Sequence, residues 1–407
     1  MGVDRYDFAV VGGGLGGAAF GKAMAERGAN VLVLERTPTF TDRIRGEWIA
    51  PWGVEELKEL GLYDEVMGQG GHALPGFTIS VGLPGERRDL VASARPGLPA
   101  VSFYHPDAQE AVLASASSAG AAVERGASVR SLRRTSDGPV LSVRSNKVER
   151  EVSARLVVGA DGRDSAARRW AGFELRRFPE TSEFTRDFGT RFLTGQMFED
   201  VDADATAGHM WVNPAIGSVG YYFPHSARKG RAFVVFGERS QSPTTPDELV
   251  KACRQAGANG AMFATAKPIG LFATIAASDG WVDHPYGDGV VLIGDAAGAT
   301  DPTWGQGMST TLRDVRLLRD ALSSEDEMDR ACHDYAEAHD QYWRTVLTLE
   351  EWSTTLLLKT GTEADANRER AIDHWNDDQS RRPDVFMSGP DGYVLDEQAR
   401  RRYFGEE

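Results

Sequence analysis

Phe8-Ala9-Val10-Val11-Gly12-Gly13-Gly14-Leu15-Gly16-Gly17, with Val31-Leu32-Val33-Leu34-Glu35 behind it, is the stretch that decides the fold. An apolar run leads into a glycine turn, and the small-residue segment Ala18 to Arg27 predicts a helix. A second apolar run then ends on an acidic residue. Gly12 permits a tight turn, Gly14 lets the backbone approach a pyrophosphate, and Gly17 lets the helix pack closely on the strand. Free N–H groups at the helix N-terminus present a partial positive charge to the phosphates. Glu35 follows Gly17 by eighteen residues, the spacing of a carboxylate that binds a ribose. Residues 1 to about 36 therefore read as a dinucleotide-binding βαβ unit. The motif alone does not separate NAD from FAD.

Composition narrows the partners. The 407 residues suffice for two or three domains with their own cores. A net charge of −15 disfavours nucleic acid and anionic membrane, which would repel the chain. No apolar run approaches the length of a membrane span. The first strand begins so early that no signal peptide is expected. Cys253 and Cys332 lack metal or redox spacing, so no metal site is expected and a reducing cytoplasm is the expected location.

Further along, Val54 to Leu60 predicts a helix, residues 71–100 short strands and loops, and Ala108 to Ala119 an alanine-rich helix ending at Gly120. Val140 to Val143 and Leu156 to Val158 read as strands, the second leading into Gly159-Ala160-Asp161-Gly162-Arg163-Asp164-Ser165. From about 175 to 280 strand-like runs dominate: Phe188 to Met197, Met210 to Val212, Val219 to Phe223, Ala232 to Phe236 and Ile269 to Ala276. The helix candidate Pro246 to Ala256 interrupts them, which suggests an antiparallel sheet with a helix. Residues 326–380 are expected to be mostly helical, with a final helix over Asp396 to Arg402.

Near residue 290 the chain returns to the pattern of its beginning. Asp288 to Gly298, containing Gly294-Asp295-Ala296-Ala297, ends a strand on an aspartate. Asp301-Pro302-Thr303-Trp304-Gly305-Gln306-Gly307-Met308 then leads into a helix with Leu312, Val315, Leu318 and Leu322 on one face. With the glycine run and Asp161-Gly162, these segments resemble the three ordered fingerprints of the class A FAD-dependent monooxygenases, the para-hydroxybenzoate hydroxylase-like superfamily. That superfamily is related to the flavin halogenases and geranylgeranyl reductases. The resemblance implies an α/β fold with a Rossmann-like FAD-binding domain, an inserted antiparallel substrate sheet and a helical C-terminal region. The expected division is 1–174 and 281–325 for the FAD domain, with small strands at 71–100. Residues 175–280 would form the substrate domain and 326–407 the helical region.

The resemblance also implies roles. Gly12, Gly14, Gly17 and Glu35 would hold the ADP part of FAD, with Arg36 flanking the adenosine. Gln109 would contact the ribityl chain and Asp161 would lie near the pyrophosphate. Asp295 would accept hydrogen bonds from ribityl hydroxyls, a task suited to a carboxylate. Gly305, Gln306, Gly307 and Met308 would surround the flavin pyrimidine edge, where a helix N-terminus favours negative charge. Arg45, from Arg43-Ile44-Arg45, would lie close to the flavin. Arg45, Pro302 and Trp304 are the candidates for a catalytic part. His209, Trp211, Tyr221, Tyr222 and Phe223 are candidates for substrate contact, each also a natural core residue.

The implied reaction uses NADPH or NADH as a transient reductant and O2. It would hydroxylate or epoxidise an electron-rich, expected aromatic, small molecule through a flavin C4a-hydroperoxide. The alanine-, glycine- and arginine-rich composition suggests natural-product tailoring, and a monomer or homodimer is expected. Two departures stand out: Gly298 where the family usually has His, and Pro302-Thr303-Trp304 where it usually has two prolines. Gly298 keeps open a flavin-dependent reductase of isoprenoid double bonds. A halogenase is disfavoured, because Met210 to Pro214 and Gly220 to Pro224 do not match its Trp-x-Trp-x-Ile-Pro motif and Gly71 to Asp89 contains no lysine.

Overall fold

The computed structural model describes residues 4–82, 85–177, 190–325 and 327–407. Its first sheet is built around the strand Asp4–Val11, whose Phe8 to Val11 are buried because helices or loops cover both faces. This strand runs parallel to Val31–Glu35 on one side and to Val148–Gly159 on the other, with Val10 opposite Val33 and Val158. The path continues outward to Ala122–Arg125 at one edge and to Val290–Leu292 and Tyr286–Gly287 at the other. The hairpin of Ser128–Thr135 and Gly138–Ser145 joins through an antiparallel pairing with Val148–Gly159.

Chain direction is what matters for function. In an open parallel sheet a ligand lies outside the carboxyl ends of the strands, where strand order reverses. At those ends the structure places Gly12, Glu35, Asp161 and Gly294-Asp295, Glu35 as the last residue of its strand and the others just past theirs. Four motifs far apart in sequence thus share one rim.

The second sheet has seven strands in the order Lys267–Ala277, Arg191–Glu199, Lys229–Phe236, Ser218–Pro224, Ala207–Asn213, Gly76–Val81 and Arg87–Asp89. Its last two strands come from the segment before residue 100, and Gly76–Val81 pairs parallel with Ala207–Asn213. The expected strand from Phe188 begins at Arg191; residues 188 and 189 lie outside the described residues. The helix Pro246–Ala256 covers one face, burying Leu249, Ala252 and Cys253 against Trp211, Tyr222 and Val234. Thr245 caps it by accepting from the Glu248 N–H at 3.2 Å. The other face looks toward the first sheet and carries Leu193, Met210, Val212, Tyr221, Phe223 and Phe233.

The helix expected from Ala108 starts at His105, since Pro106 fits a first turn whose N–H groups have no internal acceptor. The stretch expected helical over 326–380 holds two α-helices among the described residues, Met328–Leu358 and Thr362–Asp377, broken before Gly361 at φ +107°, and the final helix expected over Asp396 to Arg402 is Glu397–Tyr403. The first is amphipathic to both halves of the molecule. Cys332, Tyr335 and Ala336 pack into the core of the nucleotide half, and Leu358 packs against the second sheet. Trp352 and Leu356 meet Trp375 and Tyr403 of the tail.

Candidate active site

A cavity of about 1250 Å³ runs from the rim of the first sheet to the inner face of the second. At its nucleotide end Gly12 has φ +105°, and a Cβ there would lie 2.4 Å from the Ala160 carbonyl oxygen. A Cβ on Gly17 would lie 2.0 Å from the Gly12 carbonyl oxygen, so both positions demand glycine. Gly17 itself sits behind the turn, holding helix to strand, while Gly12 and Gly14 line the cavity. The helix Leu15–Ala25 has no side-chain cap and no acidic residue in its first turn, which leaves its N–H groups for an anion.

Glu35 lines the same end, 8% exposed. Its Oε2 accepts from the Gly13 N–H at 2.9 Å, and its Oε1 from the Thr37 N–H and hydroxyl at 2.8 and 2.6 Å. The carboxylate is thereby aimed, and each oxygen keeps capacity for a further donor. Arg36 and Gln109 also line this part. Gln109 reaches the glycine turn, its Nε2 3.4 Å from where a Gly14 Cβ would stand. Asp161 lines the cavity, but its carboxylate turns inward. It accepts from Ser165 Oγ at 2.5 Å and from the N–H groups of Ala166 and Ala167 at 2.7 and 3.1 Å. It shapes the turn that packs against Gly12.

Asp295 and Arg45 face each other across the middle of the cavity at 4.0 Å. The turn carrying Asp295 is anchored from behind. Asp314, buried on the helix Gly307–Ser324, accepts from the Gly294 N–H at 2.8 Å, and His339 and Tyr342 hold its other oxygen at 2.9 and 2.5 Å. Gly298, where the resemblance leads one to expect His, lies under the Trp343 indole: a Cβ there would meet the ring at 2.6 Å.

The segment from Thr300 to Met308 separates the two ends of the cavity. Pro302, Trp304, Gly305, Gly307 and Met308 line it. Gln306 does not: fully buried, it accepts from Trp52 Nε1 at 3.0 Å and donates to the Trp304 carbonyl at 2.7 Å, bracing the loop from below. The helix Gly307–Ser324 begins without a side-chain cap or an acidic first turn. The loop is fixed from several elements. The Tyr221 hydroxyl donates to the Thr303 carbonyl, Trp304 Nε1 donates to Thr354 Oγ1 at 2.9 Å, and Trp304 stacks on Phe386 at 5.2 Å. Arg191 pairs with Asp301 at 3.5 Å, and Arg163 donates to the Thr300 carbonyl at 3.3 Å. Burial, aided by Asp301, drives the Tyr221 phenol well above its ordinary value.

Strand alternation sorts the substrate candidates. Tyr221 and Phe223 face the cavity; His209, Trp211 and Tyr222 face away. Trp211 and Tyr222 are core under the helix Pro246–Ala256, and His209 bonds the Asp204 carbonyl at 3.0 Å and stacks on Trp211. The residues that sequence reasoning passed over are Met210 and Val212, the alternation partners of Trp211, and Trp48, which stacks on Phe223 at 5.6 Å. Their signal was the period of two, unusable until the inward face was known. Also missed was the buried brace behind the loop of Arg45. Glu47 accepts from Arg231 Nε at 2.7 Å and lies 3.1 Å from His225, while Arg231 also donates to Asp42 at 2.7 Å. Burial works to raise the Glu47 carboxyl, but His225 and Arg231 overcome it and the net shift is downward.

An adenine dinucleotide with a flavin fits these groups: uncapped helix N-termini for the pyrophosphate and pyrimidine edge, and carboxylates at the two polyol positions. Among the described residues no group of three or more His, Cys, Asp or Glu is placed to hold a metal ion, and no helix is long and apolar enough to cross a membrane.

The chain matches the FAD-binding-domain family over residues 5–344 and belongs to it, the family of the class A flavoprotein monooxygenases. It is thus an FAD-dependent oxidoreductase by family. It is similar to digeranylgeranylglycerophospholipid reductase 2 of Methanopyrus kandleri, 27% identical over 83% of this chain and 82% of that one. It is also similar to aklavinone 12-hydroxylase DnrF of Streptomyces peucetius, 28% identical over 76% of this chain and 65% of that one. Among solved structures the flavin-dependent brominase Bmp2 shares the fold, with a TM-score of 0.77, 16% identity, and 98% of this chain and 97% of that one covered.

Proposed function

We propose that the protein is an NAD(P)H- and O2-dependent FAD monooxygenase acting on an electron-rich, flat, apolar small molecule. The observation that carries this reading is the continuity of one cavity: a dinucleotide cradle at one end and a wall of Met210, Tyr221, Phe223, Phe233 and Trp48 at the other, meeting at the loop Thr300 to Met308. Bound FAD supplies the redox and oxygen chemistry; the protein supplies placement, dryness and electrostatics. NAD(P)H would provide two electrons, one oxygen atom of O2 would enter the substrate and the other would leave as water.

The chain's own residues do four things. The Gly12 turn and the helix Leu15–Ala25 hold the pyrophosphate. Glu35 and Asp295 accept from sugar and polyol hydroxyls, and Arg45 offsets the charge of Asp295. The uncapped start of the helix Gly307–Ser324 offers N–H groups where negative charge would build on reduction. Tyr221, Trp304 and Phe386 close the apolar end against water.

The test is oxidation of NADPH and NADH by purified protein, with oxygen uptake, against a panel of phenols and polycyclic aromatics. Substrate-stimulated oxidation with an oxygenated product supports the reading. A second reading, saturation of isoprenoid double bonds, is favoured by the similarity to the Methanopyrus reductase along four-fifths of the chain. It wins if the flavin is reduced, no aromatic is oxygenated and prenyl alkenes are saturated.

A further inference from the structure

Alongside the Trp304–Phe386 stack the cavity continues as an arm into the C-terminal region. Ser353 of the helix Met328–Leu358, Trp375 and Asn376 of the helix Thr362–Asp377, and then Gln379, Arg382 and Tyr403 line it. Leu357 and Phe386 join the arm to the wall of the second sheet, since each packs against the cores of both. Ser353, Trp375 and Tyr403 are buried, whereas Asn376, Gln379 and Arg382 are exposed. The polar groups therefore mark where the arm meets solvent.

Among the described residues, three charged side chains line the apolar end and this arm: Arg88, Asp384 and Arg382. Arg88, on the strand Arg87–Asp89, donates to both Asp384 oxygens at 2.6 and 2.8 Å, so those two charges offset each other. Asp378, four residues before Arg382, is held by Arg381 at 3.7 Å and Arg402 at 3.2 Å. That leaves Arg382 with no carboxylate partner among the described residues. Its guanidinium lies over the Trp375 ring, 5.7 Å from the centroid. Stacking fixes the plane of the fork and keeps the N–H groups on its edge available. The arm thus has an aromatic body and one uncompensated positive charge at its mouth. Burial raises the phenol of Tyr403 to about 12, with Ser353 and Arg382 opposing, so Tyr403 stays a neutral hydroxyl beside that charge.

We propose that the arm is the outer half of the substrate site and that Arg382 determines its specificity. The substrate is an elongated molecule whose flat ring lies by Tyr221, Phe223 and Trp304 and whose far end is a carboxylate held by Arg382. One uncompensated positive charge matches a singly charged anion, and a planar fork matches a planar one. The inference rests on the reading of the apolar end as the substrate site.

The test uses the FAD-loaded protein and two probes, 6-(2-naphthyl)hexanoate and its primary amide. Calorimetry reads their binding, and thermal unfolding checks that each variant folds. We expect wild type to bind the carboxylate about fivefold or more tightly than the amide, and R382A to lose that preference. R382K, which keeps the charge, should retain part of it. R381A, whose guanidinium belongs to Asp378, should retain all of it. The preference should shrink as salt is raised. M210W, which fills the ring end, should weaken both probes. Equal binding of the two by wild type, a preference that survives in R382A, or its loss in R381A overturns the inference and leaves the apolar end as a binding site. Probes that wild type does not bind, or that M210W does not weaken, overturn the reading of the apolar end and the inference with it.

Discussion

Asp295 shows how a single side chain can be freed for a ligand. Its own turn is held by another aspartate: Asp314 takes the Gly294 N–H and is itself held by His339 and Tyr342. Among the described residues the Asp295 carboxylate pairs with Arg45, at 4.0 Å. Asp295→Ala should therefore leave the fold unchanged and weaken FAD by about 10–100-fold, the worth of hydrogen bonds to a charged acceptor. Titration of apo-protein with FAD checks this; an unchanged Kd would remove Asp295 from the site. Gly298 shows the opposite case, a residue fixed by a distant neighbour. Because the Trp343 indole fills the space a Cβ would need, Gly298→Ala should destabilise by about 1–3 kcal/mol. Thermal unfolding of the variant reads this, and a melting temperature equal to wild type would show that Trp343 yields without cost. The departure from the family's histidine is thus a packing matter between the FAD half and the C-terminal helix.

At the scale of the element, the strand Ala207–Asn213 makes two adjacent residues opposite in function. Met210 faces the cavity and Trp211 faces the helix Pro246–Ala256. Met210→Trp should raise the substrate KM about tenfold or more, by filling cavity volume, with flavin content retained. Trp211→Phe should lower stability and leave KM unchanged. Steady-state kinetics with flavin-to-protein ratios would decide; equal effects of the two on KM would show that the strand's facing is misassigned. The nucleotide motifs were legible in sequence because each is local: the residues of a glycine turn or of Gly-Asp-Ala-Ala are adjacent in the chain. The apolar wall of the cavity was not, because a strand of alternating large residues offers two faces and nothing within it says which is inward. Hence Tyr221 and Phe223 were placed among the candidates together with their outward neighbours, and Met210 was passed over.

On the scale of the whole molecule, the long helix Met328–Leu358 brings Glu350 behind the cavity-lining loop Thr300 to Met308, beside Asp279 and Asp301. Both Glu350 oxygens and one of Asp279 are buried without hydrogen-bond partners. Burial and Asp301 raise Asp279 to about 8. Glu350 is likewise driven well above its ordinary value, by burial and then by Asp279 and Asp301. An acid with a raised folded value binds its proton more tightly folded than unfolded. Its contribution to stability is full below about pH 4, where both states are protonated. It is lost progressively as pH rises toward about 8. The melting temperature of wild type should therefore fall between pH 6 and 8.5 by about 3 °C more than that of Asp279→Asn. Parallel curves for the two proteins would show that Asp279 ionises normally. The Arg163 and Arg191 guanidinia favour the ionised form but are outweighed by burial and Asp301.

The sequence by itself determined the cofactor half of this protein. A glycine turn, a small-residue helix, a carboxylate at fixed spacing and Gly294-Asp295 are each written in contiguous residues, and short-range sterics and hydrogen bonding give them one meaning. Only the tertiary structure decided the rest. It closed the second sheet with strands from before residue 100, chose which side of that sheet faces the cavity, and laid the C-terminal helices over both halves. Those choices depend on contacts between residues hundreds of positions apart. Their free energy comes from burying shared surface, a quantity that belongs to pairs of elements and is absent from either one alone.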